Sequence, residues 1–297
     1  MVSGASGMVG RALRPVLAAA GHDVVALVRR APGPGERRWD PAAGVLDAGD
    51  LREADAVVHL AGAGIGDRRW SPARRAEILD SRVRSTALLS TTLARLDEPP
   101  AVLAAASAVG WYGSRGDEVL DEDSAAGDGF LAEVCHAWED ACGAAADAGI
   151  RVAHLRSGIV LDASGGALAR QLPLFRLGLG GRLGGGRQWL SWISLADEVA
   201  AIVAVLEDQA LSGPVNLVAP QPVTNAEFTS TLARLLHRPA FTRVPRAALR
   251  LALGGDMADE VVLASQRVVP ARLLAAGFTF AHPELGGALA AAMGRPG

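Results

Sequence analysis

The first thirty residues carry the hydrophobic and polar pattern of a turn, a helix and a strand. After a glycine-rich turn, apolar residues recur at helical spacing, at Leu13, Val16, Leu17 and Ala20. Gly21 is suited to end this helix, and the apolar run within residues 23–28 is typical of a strand buried in a parallel sheet. Only Met1 and Val2 precede the turn, whereas strands average about 5–6 residues. Either the start codon is misassigned or the first strand is truncated.

Two later runs repeat the strand pattern, and a change of pattern follows them. Residues 55–64 (DAVVHLAGAG) predict a strand that enters a turn of small residues, and residues 102–113 (VLAAASAVGWYG) predict another strand. After Leu161 the regular alternation stops, although an amphipathic helix from Asp197 and a strand at 214–218 indicate a return to the main sheet. The predicted fold class is therefore α/β, a Rossmann-type doubly wound parallel sheet with a smaller mixed C-terminal lobe.

Composition adds to this picture mainly by excluding partners. The chain has 297 residues and a formal net charge of -3, which gives no electrostatic reason to expect nucleic acid or an anionic membrane. Its apolar runs are broken well short of the ~20 residues that a membrane-spanning helix needs, and no apolar signal region precedes the first glycines. We therefore expect a cytoplasmic protein whose partner is a small molecule.

Cysteine and histidine indicate neither a disulfide nor a metal site. Cys135 and Cys142 lie in one helix-like stretch at a spacing that separates them by roughly 10 Å, too far for a disulfide, and we interpret them as buried thiols. The histidines are scattered without the paired spacing of metal ligands. We predict no metal.

The opening turn is suited to hold a phosphate. Its glycines would permit a tight turn, a close approach of the backbone to phosphate, and close packing of the following helix, whose first amides then face the anion. The candidate cofactor contacts in this turn are Gly4, Ser6, Gly7, Met8, Val9 and Gly10. A glycine-rich connection without a ligand is the alternative.

Two arginines stand where the second strand of such a unit ends. A carboxylate at this point would accept hydrogen bonds from the ribose of NAD, whereas a cation suits the 2′-phosphate of NADP. Arg29 and Arg30 occupy it, and the planar guanidinium is a good phosphate ligand. The predicted cofactor is therefore NADP, and a solvated surface is the alternative role for the two arginines.

Longer stretches of the chain resemble a known family. Beside the opening turn and the two later strands, these stretches are DRRWSPARRAEILDSR, DGFLAEVCHAWED, LRSGIVLD, LPLFRLGLGGRLGGGRQWLSWI and SQRVVP. Together they resemble the extended short-chain dehydrogenase/reductase superfamily and, within it, the atypical subfamily of "epimerase family" proteins, which is related to the NADP-binding SDR39U-type proteins. The resemblance covers essentially the whole chain.

The resemblance implies roles for further residues. It implies that Arg29 contacts the 2′-phosphate. The residues that it implies beside the adenosine ribose and the pyrophosphate are Leu60, Ala61 and Gly62. Glu77 and Arg82 match a helix that faces the cofactor, although their spacing places them about 140° apart, so that one of them would reach only the rim. Val160 matches the segment near the nicotinamide. As alternatives, Glu77 and Arg82 would belong to a surface helix of mixed charge, and Val160 would be an ordinary core residue.

One part of the family's chemistry is missing. Short-chain dehydrogenases usually carry Tyr-x-x-x-Lys on a helix, because residues four apart share a face and the ammonium holds the pKa of the phenol low. This chain has no lysine, and aligning the helix by its Trp-Glu pair puts Leu131 and Cys135 at the two positions. Ser107 matches the active-site hydroxyl, and Tyr112 would be an auxiliary donor or a packed phenol with a satisfied hydroxyl. Residues 121–123 (DED) offer a carboxylate in what we expect to be a solvated loop.

A glycine-rich stretch in the second half is a further candidate site. Residues 178–186 contain Arg182, and Arg187 follows them directly. With the aromatic residues of the QWLSW segment that comes next, these arginines could clamp an anion. A flexible crossover between lobes explains the glycines equally well.

Two functional hypotheses follow for one domain arrangement. Residues 1–165 are predicted to form the NADP-binding domain, to which residues 194–219 return. Residues 166–193 and 220–297 form a small lobe on the substrate side, and the cleft between the lobes is the expected site for a small-molecule substrate or ligand. The first hypothesis is an NADP-dependent oxidoreductase or epimerase-like enzyme that works without the Tyr–Lys dyad. The second is a catalytically silent NADP(H)-binding protein that regulates a partner or senses redox state.

Overall fold

The computed structural model describes residues 1–294, which form one large sheet and a second group of small sheets and helices. The strands of this part of the chain are β1 (Val2–Ser3), β2 (Ala26–Val28), β3 (Glu36–Asp40), β4 (Val45–Leu46), β5 (Ala56–His59), β6 (Val102–Ala108), β7 (Val119–Leu120), β8 (Arg151–Ser157), β9 (Ile159–Leu161), β10 (Gly181–Leu183), β11 (Trp189–Leu190), β12 (Trp192–Ser194), β13 (Gly213–Leu217), β14 (Val223–Thr224), β15 (Thr242–Val244) and β16 (Arg267–Val268). Its helices are α1 (Met8–Ala19), α2 (Pro72–Leu93), α3 (Phe130–Asp140), α4 (Gly143–Asp147), α5 (Gly166–Arg176), α6 (Leu195–Glu207), α7 (Asn225–Leu236), α8 (Arg246–Leu253), α9 (Gly255–Met257), α10 (Ala271–Ala275) and α11 (Leu285–Ala292). Short 3-10 segments cover Ala48–Leu51 and Val109–Tyr112, and a π-helical turn covers Ala258–Val262.

The large sheet has the strand order β13-β8-β6-β5-β1-β2-β3-β4. Its neighbouring strands are parallel except for the antiparallel β3–β4 pair at one edge. The order reverses at β1, because the chain continues to β2 on one side and later returns to β5 on the other. Such a reversal opens a crevice at the carboxyl ends of the strands, where ligands of this fold class bind. The predicted doubly wound Rossmann-type sheet is confirmed.

Helices cover both faces of this sheet. Neighbouring strand residues point to opposite faces, so that Val57 and Val58 of β5 belong to different buried clusters. α1 and α6 pack on one face, where α1 buries Leu13 and Leu17. α2 and α4 pack on the other, where α2 buries Leu89 and Leu93.

The first strand is only two residues long, yet it lies in the middle of the sheet. Val2 and Ser3 pair with both β2 and β5. The amino group of Met1 donates a hydrogen bond to the carbonyl oxygen of Ala56 at 2.6 Å, and burial lowers the pKa of that group. The sequence did not predict β3, because its five residues, ERRWD, carry a single apolar side chain, the buried Trp39.

The C-terminal part of the chain forms its own core beside the sheet. α5, α7 and α11 share a buried cluster that includes Leu168, Phe175, Phe228, Leu232 and Leu289. Between the segments that form this core, α6 and β13 return to the large sheet, where β13 pairs with β8. The predicted domain boundaries stay a prediction. No helix within residues 1–294 is long and apolar enough to cross a membrane.

Candidate active site

The turn after β1 requires two of its three glycines for the fold itself. Gly4 has φ 67°, and a Cβ on it would lie 2.6 Å from the carbonyl carbon of Leu60. A Cβ on Gly10 would lie 2.5 Å from the carbonyl oxygen of Gly4. Gly7 is different, since its φ is -70° and its Cβ would meet only that same oxygen, at 3.2 Å. The backbone conformation at this exposed position therefore suits any residue, and a Cβ there would require only a small shift of that oxygen.

The start of α1 is left open. The N-cap residue of α1, Gly7, has no side chain to cap the helix, and no acidic residue lies in the first turn. In contrast, Ser71, Ser194 and Thr224 cap α2, α6 and α7 through their hydroxyls. The amides of Met8 and Val9 therefore have no acceptor among the described residues, and the positive end of the helix dipole faces outward beside the exposed Ser6.

A buried histidine fixes the turn from below. The Nδ1 atom of His59 lies 2.6 Å from the hydroxyl of Ser3, and this hydroxyl also accepts the amide of Leu60 at 3.2 Å. The Nε2 atom lies 3.0 Å from the hydroxyl of Thr86 and 3.2 Å from that of Ser85. Desolvation by burial lowers the pKa of His59 to about 4, so the ring is neutral at pH 7. The floor of the turn is therefore polar, fully bonded and uncharged.

The two arginines at the end of β2 have different surroundings. Arg30 donates two hydrogen bonds to Glu36, at 2.7 Å and 2.5 Å, and this contact lowers the pKa of the Glu36 carboxyl. Arg29 is exposed and makes no hydrogen bond or ion pair with any residue between 1 and 294. Because β1 and β2 are parallel neighbours, Arg29 lies at the same edge of the sheet as the turn. Arg29 is thus the arginine free to take an anion there.

The segment after β5 contacts both the turn and α2. Gly4 packs on Leu60 and Ala61, as the close Cβ distances show. A Cβ on Gly62 would lie 3.3 Å from the guanidinium carbon of Arg82, which donates a hydrogen bond to the carbonyl oxygen of Ala63 at 2.9 Å. This guanidinium also lies over the ring of Trp138, 4.8 Å from its centre.

Glu77 and Arg82 therefore have separate environments. The carboxylate of Glu77 is half-exposed and lies 2.7 Å from Arg74 and 3.3 Å from Arg68. Hydrogen bonding to Arg74 lowers the pKa of this carboxyl. The structure thus brings Arg82, but not Glu77, into contact with the small-residue segment after β5.

Met8 connects the turn to the C-terminal lobe. A Cβ on Gly165 would lie 3.0 Å from the sulfur of Met8, and one on Gly166, the first residue of α5, would lie 3.6 Å from both its methyl group and the carbonyl oxygen of Val160. Val160 itself is half-buried in β9, opposite Ile193 of β12. The structure therefore brings Met8 and Val160 together at the start of α5.

Ser107 belongs to a buried ion-pair network. Ser107 lies near the carboxyl end of β6, two residues beyond Ala105, which pairs with His59. Its hydroxyl donates to the Oε1 atom of Glu139 at 2.6 Å. Arg156 donates to both oxygens of this carboxylate, at 2.8 Å and 2.9 Å, and both members of the pair are buried. Charge is balanced within the network.

Tyr112 closes the other side of this network. The side chain is fully buried, its hydroxyl donates to Oδ1 of Asn216 at 2.7 Å, and it accepts from Arg156 at 3.1 Å. Burial is the main reason why the pKa of this phenol rises to about 12. Arg156 also lies over the ring of Trp111, 3.9 Å from its centre. In this arrangement Tyr112 has the environment of a packed phenol with both hydrogen-bonding roles filled.

Two expectations about neighbouring residues have different outcomes. The expected solvated loop at 121–123 is wrong for Glu122, which is buried and accepts the amides of Asn216 at 3.0 Å and Arg272 at 3.2 Å. Desolvation raises the pKa of this carboxyl. Leu131 and Cys135 do face the segment after Ser107, since a Cβ on Gly110 would lie 3.4 Å from each. Cys135 is a buried free thiol whose pKa burial raises to about 11.

Sequence reasoning missed the two charged residues at the centre of the network. Glu139 served only to align a helix, and Arg156 was one of many arginines. A signal was nevertheless present, because Glu139 follows the buried Cys135 by four residues and therefore lies on the same buried face of α3. A carboxylate on such a face needs a cationic partner.

Comparison with known proteins places the chain among relatives of similar length. Residues 1–217 match the "NAD dependent epimerase/dehydratase family", and residues 244–292 match a domain of unknown function. An epimerase family protein of Mycobacterium bovis is 48% identical over 297 residues, which cover 100% of this chain and 98% of the relative.

Two solved structures agree with the fold along nearly the whole chain. The crystal structure of human epimerase family protein SDR39U1 with NADPH has a TM-score of 0.89 and 38% identity, covering 97% of this chain and 96% of the human one. A nucleoside-diphosphate sugar epimerase from Corynebacterium glutamicum has a TM-score of 0.83 and 40% identity, covering 99% of this chain and 57% of the other.

Proposed function

Because this chain belongs to the NAD dependent epimerase/dehydratase family, we propose that it binds NADP(H) and acts as an oxidoreductase or epimerase-like enzyme without a Tyr–Lys dyad. The observation that carries the choice of NADP is the exposed Arg29 at the end of β2, which has no partner in the part of the chain that the structure describes. No carboxylate follows β2 directly, and the neighbouring Arg30 is held by Glu36. A free guanidinium at this point favours the 2′-phosphate over a bare ribose.

The residues of the turn suit the rest of this cofactor. The open amides of Met8 and Val9 would donate to its pyrophosphate, and Gly7 would let the backbone come close. Leu60, Ala61 and Gly62 would lie beside its adenosine half, and Val160 near its nicotinamide. When bound, NADP supplies a nicotinamide that takes or gives a hydride.

Calorimetric titration with NADPH and NADH tests the cofactor proposal. In Arg29→Ala the affinity for NADPH should fall by roughly ten- to a hundredfold, since a hydrogen-bonded contact to a charged group contributes about 1.5–3 kcal/mol, while that for NADH should stay the same. Arg30→Ala removes an equal charge, but one that is already paired with Glu36, and should therefore lower the affinity for NADPH less. Equal losses for both cofactors in Arg29→Ala, or no loss of NADPH affinity, would contradict the proposal.

Ser107 and Glu139 supply a route for a proton. In alcohol oxidation, the hydroxyl of the substrate would pass its proton to Oγ of Ser107, and Ser107 would pass its own proton to Oε1 of Glu139 across 2.6 Å. The C–H bond at the carbon that bears this hydroxyl would break, its electron pair would leave as hydride for the oxidised nicotinamide that bound NADP would supply, and the C–O bond would become a carbonyl. Arg156 keeps the carboxylate oriented through its two hydrogen bonds. Ser107 would be the residue that touches substrate, and Glu139 would act through it.

Turnover of substrates by matched variants tests this route. With a panel of secondary alcohols, carbonyl compounds and nucleotide sugars, Ser107→Ala should lower kcat by tenfold or more, about 1.4 kcal/mol of transition-state stabilisation. Glu139→Gln should change the pH profile of kcat as well as its size, which a purely structural role would not do. Unchanged NADPH affinity in both variants serves as the control for folding. Unchanged turnover in both would remove the pair from the mechanism.

A specific observation favours a second candidate, a catalytically silent NADP(H)-binding protein that senses redox state or regulates a partner. The hydroxyls of Ser107 and Tyr112 are both bonded to other side chains, and Arg156 already donates to both oxygens of the Glu139 carboxylate. If the protein binds NADPH tightly but consumes none with any member of the panel, this second function replaces the first.

A further inference from the structure

Four large apolar side chains are exposed in two segments of the C-terminal lobe. Phe241, directly before β15, is 94% exposed, and Leu177, directly after α5, is 73% exposed. Leu174 and Leu179 are also more than half exposed. Leu174 and Leu177 share a side of the last turn of α5, because they are three residues apart. We call these four residues the apolar patch.

Contacts between the two segments place them side by side. Arg238 donates a side-chain hydrogen bond to the carbonyl oxygen of Arg176 at 2.9 Å, which ties the chain after α7 to the end of α5. β10 and β15 then pair in parallel from their first residues. Leu179 lies two residues before β10 and Phe241 directly before β15, so both lie at the start of this paired unit. The four exposed side chains therefore form one surface, and such a surface marks an interaction site.

The chain around the apolar patch is positively charged. Residues 171–193 and 220–245 contain six arginines and one acidic residue, Glu227, which caps α7 by accepting the amide and the hydroxyl of Thr224. None of the six arginines forms an ion pair with a residue between 1 and 294. The whole chain has 29 basic and 32 acidic residues, so the rest of it carries the excess of acid. The net charge of -3, which gave no reason to expect an anionic membrane, therefore averages over two regions of opposite sign.

Two of these arginines lie next to the apolar patch. Arg176 lies between Leu174 and Leu177 in the chain, and Arg182 is in β10, three residues after Leu179. Both are exposed, and neither side chain has a hydrogen-bond partner in the described part of the chain. An arginine at such a place can keep its guanidinium among lipid headgroups while apolar neighbours insert more deeply.

A lipid surface suits this arrangement better than a protein partner does. A stable protein interface takes about 20–30 residues from each side and needs a complementary shape. Four protruding side chains offer much less than that. Shallow insertion of a few apolar side chains, together with attraction between arginine and anionic headgroups, is sufficient for reversible binding to a bilayer.

We propose that the apolar patch docks the protein on an anionic phospholipid surface. Leu177, Leu179 and Phe241 would enter the boundary between headgroups and acyl chains, and Arg176 and Arg182 would contact the phosphate groups. None of these residues belongs to the proposed cofactor site or to the proton route. The inference therefore goes beyond the proposed function and does not depend on it.

Co-sedimentation with lipid vesicles tests this docking. Wild type should bind vesicles of equal parts phosphatidylcholine and phosphatidylglycerol, and it should bind poorly to phosphatidylcholine alone. Leu177→Gln/Phe241→Gln should lower the affinity for the mixed vesicles by about tenfold or more, since it removes the most exposed part of the patch. Arg176→Glu/Arg182→Glu should lower it by a similar factor, because it reverses charges that face the headgroups.

Matched controls change the same residue types elsewhere on the surface. Leu274→Gln alters an exposed leucine of α10, and Arg52→Glu reverses an exposed arginine between β4 and β5 that has no partner among residues 1–294. Both variants should bind the mixed vesicles as wild type does. Unchanged free energies of unfolding in urea check that all four variants are folded.

Three results would overturn the inference. They are no binding of wild type to the mixed vesicles at low ionic strength, equal binding by wild type and Leu177→Gln/Phe241→Gln, and equal losses in the control variants. If wild type ignores the vesicles but binds poly-glutamate through Arg176 and Arg182, an acidic protein replaces the lipid surface as the partner.

Discussion

The turn after β1 and the segment Ser107–Tyr112 lie at the same edge of one sheet but treat their polar groups in opposite ways. Within residues 1–294, the amides of Met8 and Val9 in the turn have no acceptor, and the guanidinium of Arg29 at the end of β2 has no partner. In the segment, both hydroxyls are bonded to other side chains, and a buried ion pair completes the network. We call the first the open region, because it leaves polar donors unpaired, and the second the closed region, because its side chains satisfy one another. The proposed cofactor site therefore has free donors, whereas the proposed proton route consists of groups that are already paired.

The largest expected effect comes from breaking the closed region. Arg156→Leu leaves the Glu139 carboxylate buried without its partner, and a broken buried ion pair costs about 3–5 kcal/mol. Denaturation by urea should show this loss in the free energy of unfolding. Arg84→Ala, which breaks the exposed pair with Asp80, should change that free energy by less than about 1 kcal/mol. Similar losses in the two variants would mean that the network is not a structural unit.

The floor of the open region should make stability depend on pH. The pKa of His59 is about 4 in the folded chain and near 6.5 in the unfolded chain, so between these values the unfolded state binds the extra proton. The stabilisation is complete above pH 6.5 and is lost as pH falls towards 4, by about 3 kcal/mol. Burial lowers the pKa of His154 as well, which adds a loss of the same sign.

Urea denaturation of wild type and His59→Asn at several pH values checks this expectation. The variant has no ionisable group under the turn, so its free energy of unfolding should fall less between pH 6.5 and 4 than that of wild type. Parallel pH curves for the two proteins would show that His59 is not the group responsible.

A third substitution adds a side chain to the turn of the open region and leaves its charge unchanged. Gly7→Val places a branched side chain where the backbone would approach pyrophosphate, and affinity for NADPH and NADH should fall together, by about a hundredfold or ~2.7 kcal/mol. Gly143→Val, at a glycine whose Cβ meets nothing within 4 Å, serves as the control. Normal NADPH binding by a folded Gly7→Val variant would mean that the turn is only a connection.

The smallest change in stability is expected for Tyr112→Phe, which tests whether Tyr112 is structural or catalytic. Tyr112→Phe removes hydrogen bonds to Asn216 and Arg156, and the free energy of unfolding should fall by about 1–2 kcal/mol. Turnover, once a substrate is found, should change little if the phenol is structural. A tenfold loss of kcat with unchanged stability would make Tyr112 the auxiliary donor instead and would blur the contrast between the two regions.

The sequence predicted the turn, the helix and the strand of the open region because local geometry dictates these elements. Gly4 and Gly10 are needed for the tight turn and the close helix, and the spacing from Gly21 to Arg29 marks the next strand and its end. These features depend on residues close together in the chain. The doubly wound sheet followed from the same kind of local alternation.

The closed region was harder to predict because its contacts join distant parts of the chain. Ser107 and Glu139 are on β6 and α3, Arg156 is on β8, and Asn216 is on β13. No feature of the neighbouring sequence distinguishes an arginine that will be buried against Trp111 from one that will be solvated. The register of neighbouring strands pairs Ser107 with Arg156, and the packing of α3 on β6 brings Glu139 to both of them.

The exposure of Arg29 has a consequence for how the protein would tell the two cofactors apart. Dissolved ions screen an exposed charge, with a screening length of about 10 Å at 0.1 M and about 3 Å at 1 M. Hydrogen bonds from the start of α1 would serve NADPH and NADH alike. Raising ionic strength should therefore narrow the ratio of their affinities, because discrimination would depend on a surface charge while the shared part of the affinity depends on backbone geometry.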